Sequence, residues 1–237
     1  MKLTEVLCAE VPDILETACK VRDCRDVPMS GDDSVSDGAA KLLATVLYAD
    51  LTHSSSLASE FQQRTAAKVV RAFASCMSRL IEDHEGSVTG FDGGRVMGVF
   101  LGDDRSTNAA ICALKMNYAV REILKPAIAD YYKSYRAAEA GILHCVGIDT
   151  SPVLAINPGV AEKDDLVIVG RAANFAARLS EVRDDPFSTY VSEDVFLTMG
   201  DSAKNGAGSG KLMWERVIFS FAGEEMNAYR SSWQWKP

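Results

Sequence analysis

Histidine is scarce, cysteine is unpatterned and no stretch is apolar enough to enter a bilayer; each shortage removes a class of function. The three histidines, His53, His84 and His144, are far apart. None stands in triad spacing with a serine or cysteine in a nucleophile turn. The six cysteines include no Cys-x-x-Cys pair and no Cys/His cluster at zinc spacing. With no signal peptide ahead of them, they are expected to be reduced thiols in the cytoplasm. No apolar run approaches about 18 residues, so no membrane span is expected. Positive charge is in deficit too: 25 Lys and Arg face 33 Asp and Glu, a net charge of −8. That argues against nucleic acid as the partner, since phosphate backbones attract basic surfaces. A nucleotide stays admissible, because a few local groups and a metal hold one. What the 237-residue chain does have is 47% hydrophobic residues, enough to bury a core without staples.

Residues 2–20 set Leu3, Val6, Leu7, Val11, Ile14, Leu15 and Ala18 at helical spacing. Pro12 interrupts them, so one kinked or two short helices are expected. Residues 25–39 are a polar, Gly/Ser/Asp-rich linker. The chain therefore divides into an N-terminal helix and linker, 1–40, and one compact domain, 41–237. Within the domain, 42–51 reads as a buried strand. Residues 56–84 read as a helix, with Leu57, Phe61, Ala66, Val69, Val70, Phe73, Met77, Leu80 and Ile81 in one apolar stripe. Strands 87–91 and 95–101 flank Asp92-Gly93-Gly94, a hairpin turn. A long helix, 105–139, is expected to strain or break at Pro126. Strands 141–149 and 152–156, joined by a tight turn, come next, followed by strand 165–169 and a helix carrying Asn174 and Arg178. Strand 188–192, a short helix at 193–199, a polar loop at 201–211 and closing strands 213–221 and 226–233 complete the chain. The order β-α-β-β-α-β is the ferredoxin-like unit of an α+β fold, here with elements appended.

Two segments about 120 residues apart carry the chemistry. The run Thr45–Thr52 ends in one carboxylate, Asp50, which reads as a metal ligand or as a strand-terminating cap. The run Val167–Leu179 is a strand leading into a helix that sets Asn174 and Arg178 four residues apart on one face, a pairing suited to an anionic, polar ligand.

Together these motifs resemble class III nucleotidyl cyclases. Tyr48-Ala49-Asp50-Leu51 is similar to the family's metal motif, in which the Asp bridges two ions and the next carbonyl, here that of Leu51, binds one. Val96–Phe100, Val146–Val153 and Gly170–Arg178 resemble three further family segments in the same order. The resemblance spans roughly 42–233. It implies a ferredoxin-like class III cyclase domain in which the 3′-hydroxyl of a nucleoside triphosphate attacks its own α-phosphorus and expels pyrophosphate. Two Mn2+ or Mg2+ ions are implied. Asn174 would orient the ribose and Arg178 would stabilise charge on the transferred phosphorus. The family joins the metal Asp of one chain to the Asn and Arg of another, so a homodimer with composite sites is implied.

The chain departs from the pattern in two places. Gly94 stands where the second metal carboxylate is expected, which predicts a weak or inactive enzyme; Asp92, two residues earlier, reads as a turn former or a displaced ligand. The base-reading positions of purine cyclases fall near Gly90 and at Val167, and neither offers a polar side chain. The whole chain instead resembles the pyrimidine cyclases of bacterial antiphage (Pycsar) systems. That resemblance implies cyclic UMP or cyclic CMP as product and a separate effector protein that responds to it. Tyr48 and Arg95 are the candidates for lining the base pocket, beside their plainer readings as core and hairpin residues. The family's late phosphate lysine has no counterpart near Gly223-Glu224-Glu225. Two other readings stay open: a purine cyclase with atypical base contacts, and a non-catalytic module that binds a nucleotide.

Overall fold

In the computed structural model, residues 2–28, 32, 35, 38–51, 63–132, 142–158, 166–206 and 210–237 are described. Period-two burial in β2 (Gly38–Leu51) explains the architecture. Leu42, Ala44 and Val46 face one apolar cluster, while Leu47, Ala49 and Leu51 face another. Successive side chains point to opposite faces, so this strand must be covered on both sides. It is the centre of a nine-stranded sheet whose main path runs β3 (Gly86–Asp92), β4 (Arg95–Phe100), β2, β5 (His144–Ile156), β7 (Thr189–Ser192), β9 (Glu224–Ser231), β8 (Glu215–Phe221). The strands β3-β4-β2-β5, with their two intervening helical segments, form the ferredoxin-like unit expected. Strand β6 (Val167–Val169) pairs with the end of β5.

One sheet face is covered by α2 (Gln63–Asp83) and α3 (Arg105–Tyr118). The described part of α2 buries Ala66, Val69, Phe73, Met77, Leu80 and Ile81, as its stripe predicts; Leu57 and Phe61 lie outside the described residues. The other face receives α5 (Arg171–Ser180), which buries Ala172, Ala173, Phe175, Ala176 and Leu179.

Four local readings change. The helix at 105–139 does not break at Pro126: α3 passes into a π-helical turn, Ala119–Leu124, and then α4 (Lys125–Tyr131), which holds Pro126 in its first turn. The wider turn accommodates the missing amide, and residues 133–139 lie outside the described part. The two strands expected at 141–149 and 152–156 are one, β5. Pro152 falls between the stretch paired to β7 and the stretch paired to β6, an edge-like position where a strand tolerates proline. Part of the polar loop at 201–211 is helical: after α6 (Glu193–Thr198) comes α7 (Asp201–Lys204), held by the fully buried Ala203, whose carbonyl accepts from Trp214 Nε1 at 2.8 Å. In the N-terminal region, β1 (Lys20–Asp23) pairs in parallel with the start of β2. Ahead of it, α1 (Leu3–Glu16) runs through Pro12 as one helix and buries none of its residues.

Candidate active site

The pleat that builds the core also builds the site. Continuing the alternation of β2 past Val46 puts Tyr48 and Asp50 on the face that α5 covers. Asp50 pairs in register with Arg95, the first residue of β4, and Tyr48 with Met97. Arg95 therefore shares that face with Met97 and Val99. Strand periodicity thus gathers three of the anticipated residues, Tyr48, Asp50 and Arg95, on one side of the sheet.

Helix α5 supplies two more, Asn174 and Arg178. Its apolar side is mostly alanine, so its backbone lies close to the sheet, and Gly147 on β5 makes room for it. A Cβ added there would lie 2.1 Å from the Ala176 carbonyl oxygen. The N-cap residue, Gly170, has no side chain; Ser151 Oγ on β5 accepts the Ala172 amide in its place, at 3.0 Å. Arg171 ties the same end to the sheet by donating to the Thr150 carbonyl at 2.9 Å, and it also reaches buried Asp149. So fixed, α5 exposes Asn174 and Arg178 together, one turn apart.

Asp50 is 6% exposed and held by two guanidiniums. Arg183 Nη2 donates to its Oδ2 at 2.6 Å, and Arg95 Nε lies 3.6 Å from Oδ1. Arg95 also donates to Glu181 at 2.8 Å, and Glu181 accepts in turn from Arg178. An unbroken chain of charges therefore runs from Asp50 through Arg95 and Glu181 to Arg178 within one subunit. These two arginines hold the Glu181 carboxyl below the ordinary range despite its partial burial. Burial raises the Tyr48 phenol, and the nearby Arg95 charge opposes that rise. Arg183 and Glu181 escaped sequence reasoning. They follow the helix as ordinary charges, and only the folded chain brings Arg183 to a residue 133 positions away.

At the strand end, the Leu51 amide donates to the Gly94 carbonyl at 3.0 Å, putting the two residues side by side. Gly93 takes a positive φ of 57° in the turn, and Asp92 stands exposed at the end of β3, near enough for its charge to act on Tyr48 and Arg95. The purine-reading positions are apolar or bare: Gly90 lies in β3, and Val167 is 42% exposed in β6.

Among the described residues, no three His, Cys, Asp or Glu side chains gather as a metal cluster. The donor chemistry at Asp50 nonetheless suits a divalent cation. Its carboxylate is a hard oxygen ligand in a place that already draws two positive groups. The residues that would hold an ion are Asp50 and the adjacent Leu51 carbonyl; Asp92 lies two strands from Asp50 with Arg95 between them, and Gly94 supplies no carboxylate.

The chain is 32% identical over its whole length to a uridylate cyclase of Rhodovulum sp. (strain MB263), covering 99% of that protein. It is 37% identical over 218 residues to a uridylate cyclase of Burkholderia cepacia, covering 91% of each. Among solved structures, the guanylyl cyclase Cya2 matches with a TM-score of 0.69 at 18% identity, over 84% of this chain and 96% of that one. The adenylyl cyclase CyaB from P. aeruginosa matches with a TM-score of 0.63 at 18% identity, over 81% and 95%. No family model matches the chain.

Proposed function

This chain belongs to the uridylate cyclases, within the class III nucleotidyl cyclases, and on that premise we propose that it converts UTP to 3′,5′-cyclic UMP and pyrophosphate at sites shared between two subunits. CTP is the second candidate substrate. The observation that carries this reading is that α5 exposes Asn174 and Arg178 side by side, on the sheet face that also carries Asp50.

In this reading Asp50 and the Leu51 carbonyl of one subunit would hold a divalent ion, Mn2+ or Mg2+, with Asp92 as the candidate displaced carboxylate. The chemistry such an ion would supply when bound is a lowered pKa for the substrate 3′-hydroxyl and neutralised phosphate charge. Arg178 of the opposing subunit places its planar fork on the oxygens of the transferred phosphorus. Asn174 orients the ribose so that the 3′-oxygen lies in line with the leaving pyrophosphate. Tyr48 and Arg95 line the base pocket; uracil has a smaller face than a purine, and a half-buried ring beside a guanidinium fills the remaining space. The cyclic product acts in the cytoplasm as a messenger, read by a separate effector in defence against phage. The resemblance of the whole chain to the Pycsar cyclases supports this last step.

Gly94 favours a second reading of this individual chain, as a form that binds nucleotide and turns it over slowly. Three measurements test both. Purified protein is incubated with UTP, CTP, ATP or GTP and Mn2+, and the cyclic products are resolved; selective cyclisation of a pyrimidine is expected, and purine products would overturn the substrate assignment. The same assay on Gly94→Asp is expected to show faster turnover. Finally, Asp50→Ala and Arg178→Ala, each inactive alone, are mixed in the Gly94→Asp background. Random pairing of subunits restores one intact site in half the dimers, so about a quarter of the activity should return. No recovery on mixing would refute shared sites.

A further inference from the structure

Asp50 is held unevenly. Arg183 Nη2 donates to its Oδ2 at 2.6 Å, whereas Arg95 Nε, 3.6 Å from Oδ1, is beyond hydrogen-bond reach. One carboxylate oxygen is therefore firmly bound and the other is not. Arg183 is also fixed independently of the acid. Its Nη1 donates to the Ser180 carbonyl at 2.7 Å and to the Val182 carbonyl at 2.8 Å. The guanidinium thus closes the C-terminal end of α5, where a cation is favoured, while its other nitrogen reaches β2.

This arrangement bears on any ion that Asp50 takes up. A divalent cation would draw on the same negative charge that Arg183 already balances. Either the ion evicts the guanidinium or the two share the carboxylate, and the geometry favours sharing. Arg183 cannot swing away without giving up both carbonyls and uncapping α5. Oδ1, meanwhile, offers an oxygen that neither arginine holds closely. The Arg183 side chain is a third exposed, so the pair lies near solvent rather than deep in the core.

We propose that Arg183 is a resident cation of this site: it stays on Asp50 Oδ2, leaves Oδ1 for a single divalent ion, and by its own charge keeps the affinity for that ion low. It is a positioning residue, acting through Asp50. The proposal rests on Asp50 as the ion's carboxylate, but not on which nucleotide is cyclised or how fast.

The test is Mn2+ binding to the full chain without nucleotide, with the free ion followed by electron paramagnetic resonance at neutral pH. One ion per subunit is expected in the parent, and Asp50→Asn should lose it. Arg183→Gln keeps a hydrogen-bond donor and drops the charge, and should bind that ion about tenfold tighter or more. Arg183→Lys keeps the charge and should stay within about threefold of the parent. Circular dichroism confirms that the variants are folded. Two Asp50-dependent ions per subunit, an affinity unaltered or weakened in Arg183→Gln, or Arg183→Lys binding as tightly as Arg183→Gln would each overturn the proposal. An ion retained by Asp50→Asn would overturn it together with the metal role of Asp50. Binding as expected in a protein that makes no cyclic product would sustain the proposal and count against the cyclase reading alone.

Discussion

Gly147→Ala is the smallest change that α5 cannot absorb in place. The added Cβ would lie 2.1 Å from the Ala176 carbonyl oxygen, 2.4 Å from the Ser180 amide nitrogen and 2.8 Å from Leu179 Cβ, where ordinary contact begins near 3.4 Å. Two of those atoms are backbone, so no change of rotamer relieves the clash, and the helix must retreat by about 1 Å. Overpacking of this kind costs about 1–3 kcal/mol. For a chain of this size that corresponds to a fall in Tm of roughly 3–10 °C. The functional loss should be larger, because the same retreat carries Asn174 and Arg178 with it. A displacement of about 1 Å at a positioned catalytic group can cost on the order of 100-fold in rate. Calorimetry and initial rates of cyclic UMP formation, taken in the Gly94→Asp background, measure the two effects separately. The expected result is a folded protein with kcat down about two decades. Turnover unimpaired, with Tm within about 1 °C of the parent, would refute the argument that this close approach positions the helix.

Gly94→Asp alone should lower the Mn2+ concentration needed for half-maximal activity by about tenfold or more, because charge count in the ligand set governs affinity; a metal titration of the rate checks it. Asn174→Ala and Arg178→Ala should each cut kcat by about 100- to 1,000-fold while leaving stability within about 0.5 kcal/mol, since both side chains are exposed. Arg183→Ala leaves Asp50 with only the longer contact to Arg95 and should destabilise the fold by about 1–3 kcal/mol, read by chemical denaturation and partly recovered on adding Mn2+. Iodoacetamide should label the exposed Cys8 and Cys19 in the native protein and spare buried Cys112 and Cys145, the latter thiol being pushed up to about 12 by burial; mass spectrometry of the labelled peptides decides.

The parts of this molecule legible in the sequence are those that periodicity controls. The two-residue rhythm of β2 and the stripe of α2 gave the ferredoxin-like unit, and the spacing of Asn174 and Arg178 put them on one side of a helix. What stayed hidden depends on context that no local pattern carries. Pro152 marks a turn in most settings and here lies within a strand, because its neighbours on that side are elsewhere along β5. Strand β1 is four residues of mixed character, Lys20–Asp23, that gain structure only from pairing with the start of β2. Arg183 and Glu181 could not be nominated, because an ion pair between a strand end and the segment after a helix leaves no signature in either stretch it joins. Conversely, Gly94 was visible only in the sequence: a missing side chain makes no contact that a structure can display.

The relay from Asp50 to Arg178 has a consequence for assembly. Within one subunit Asp50 is already paired with Arg95 and Arg183, and Glu181 tethers Arg178. Under the shared-site reading, docking must unfasten Glu181 from Arg178 before that arginine can reach across. The resting latch would then keep unpaired copies silent, and catalysis would begin only when enough of them accumulate to exchange one internal tie for another between subunits.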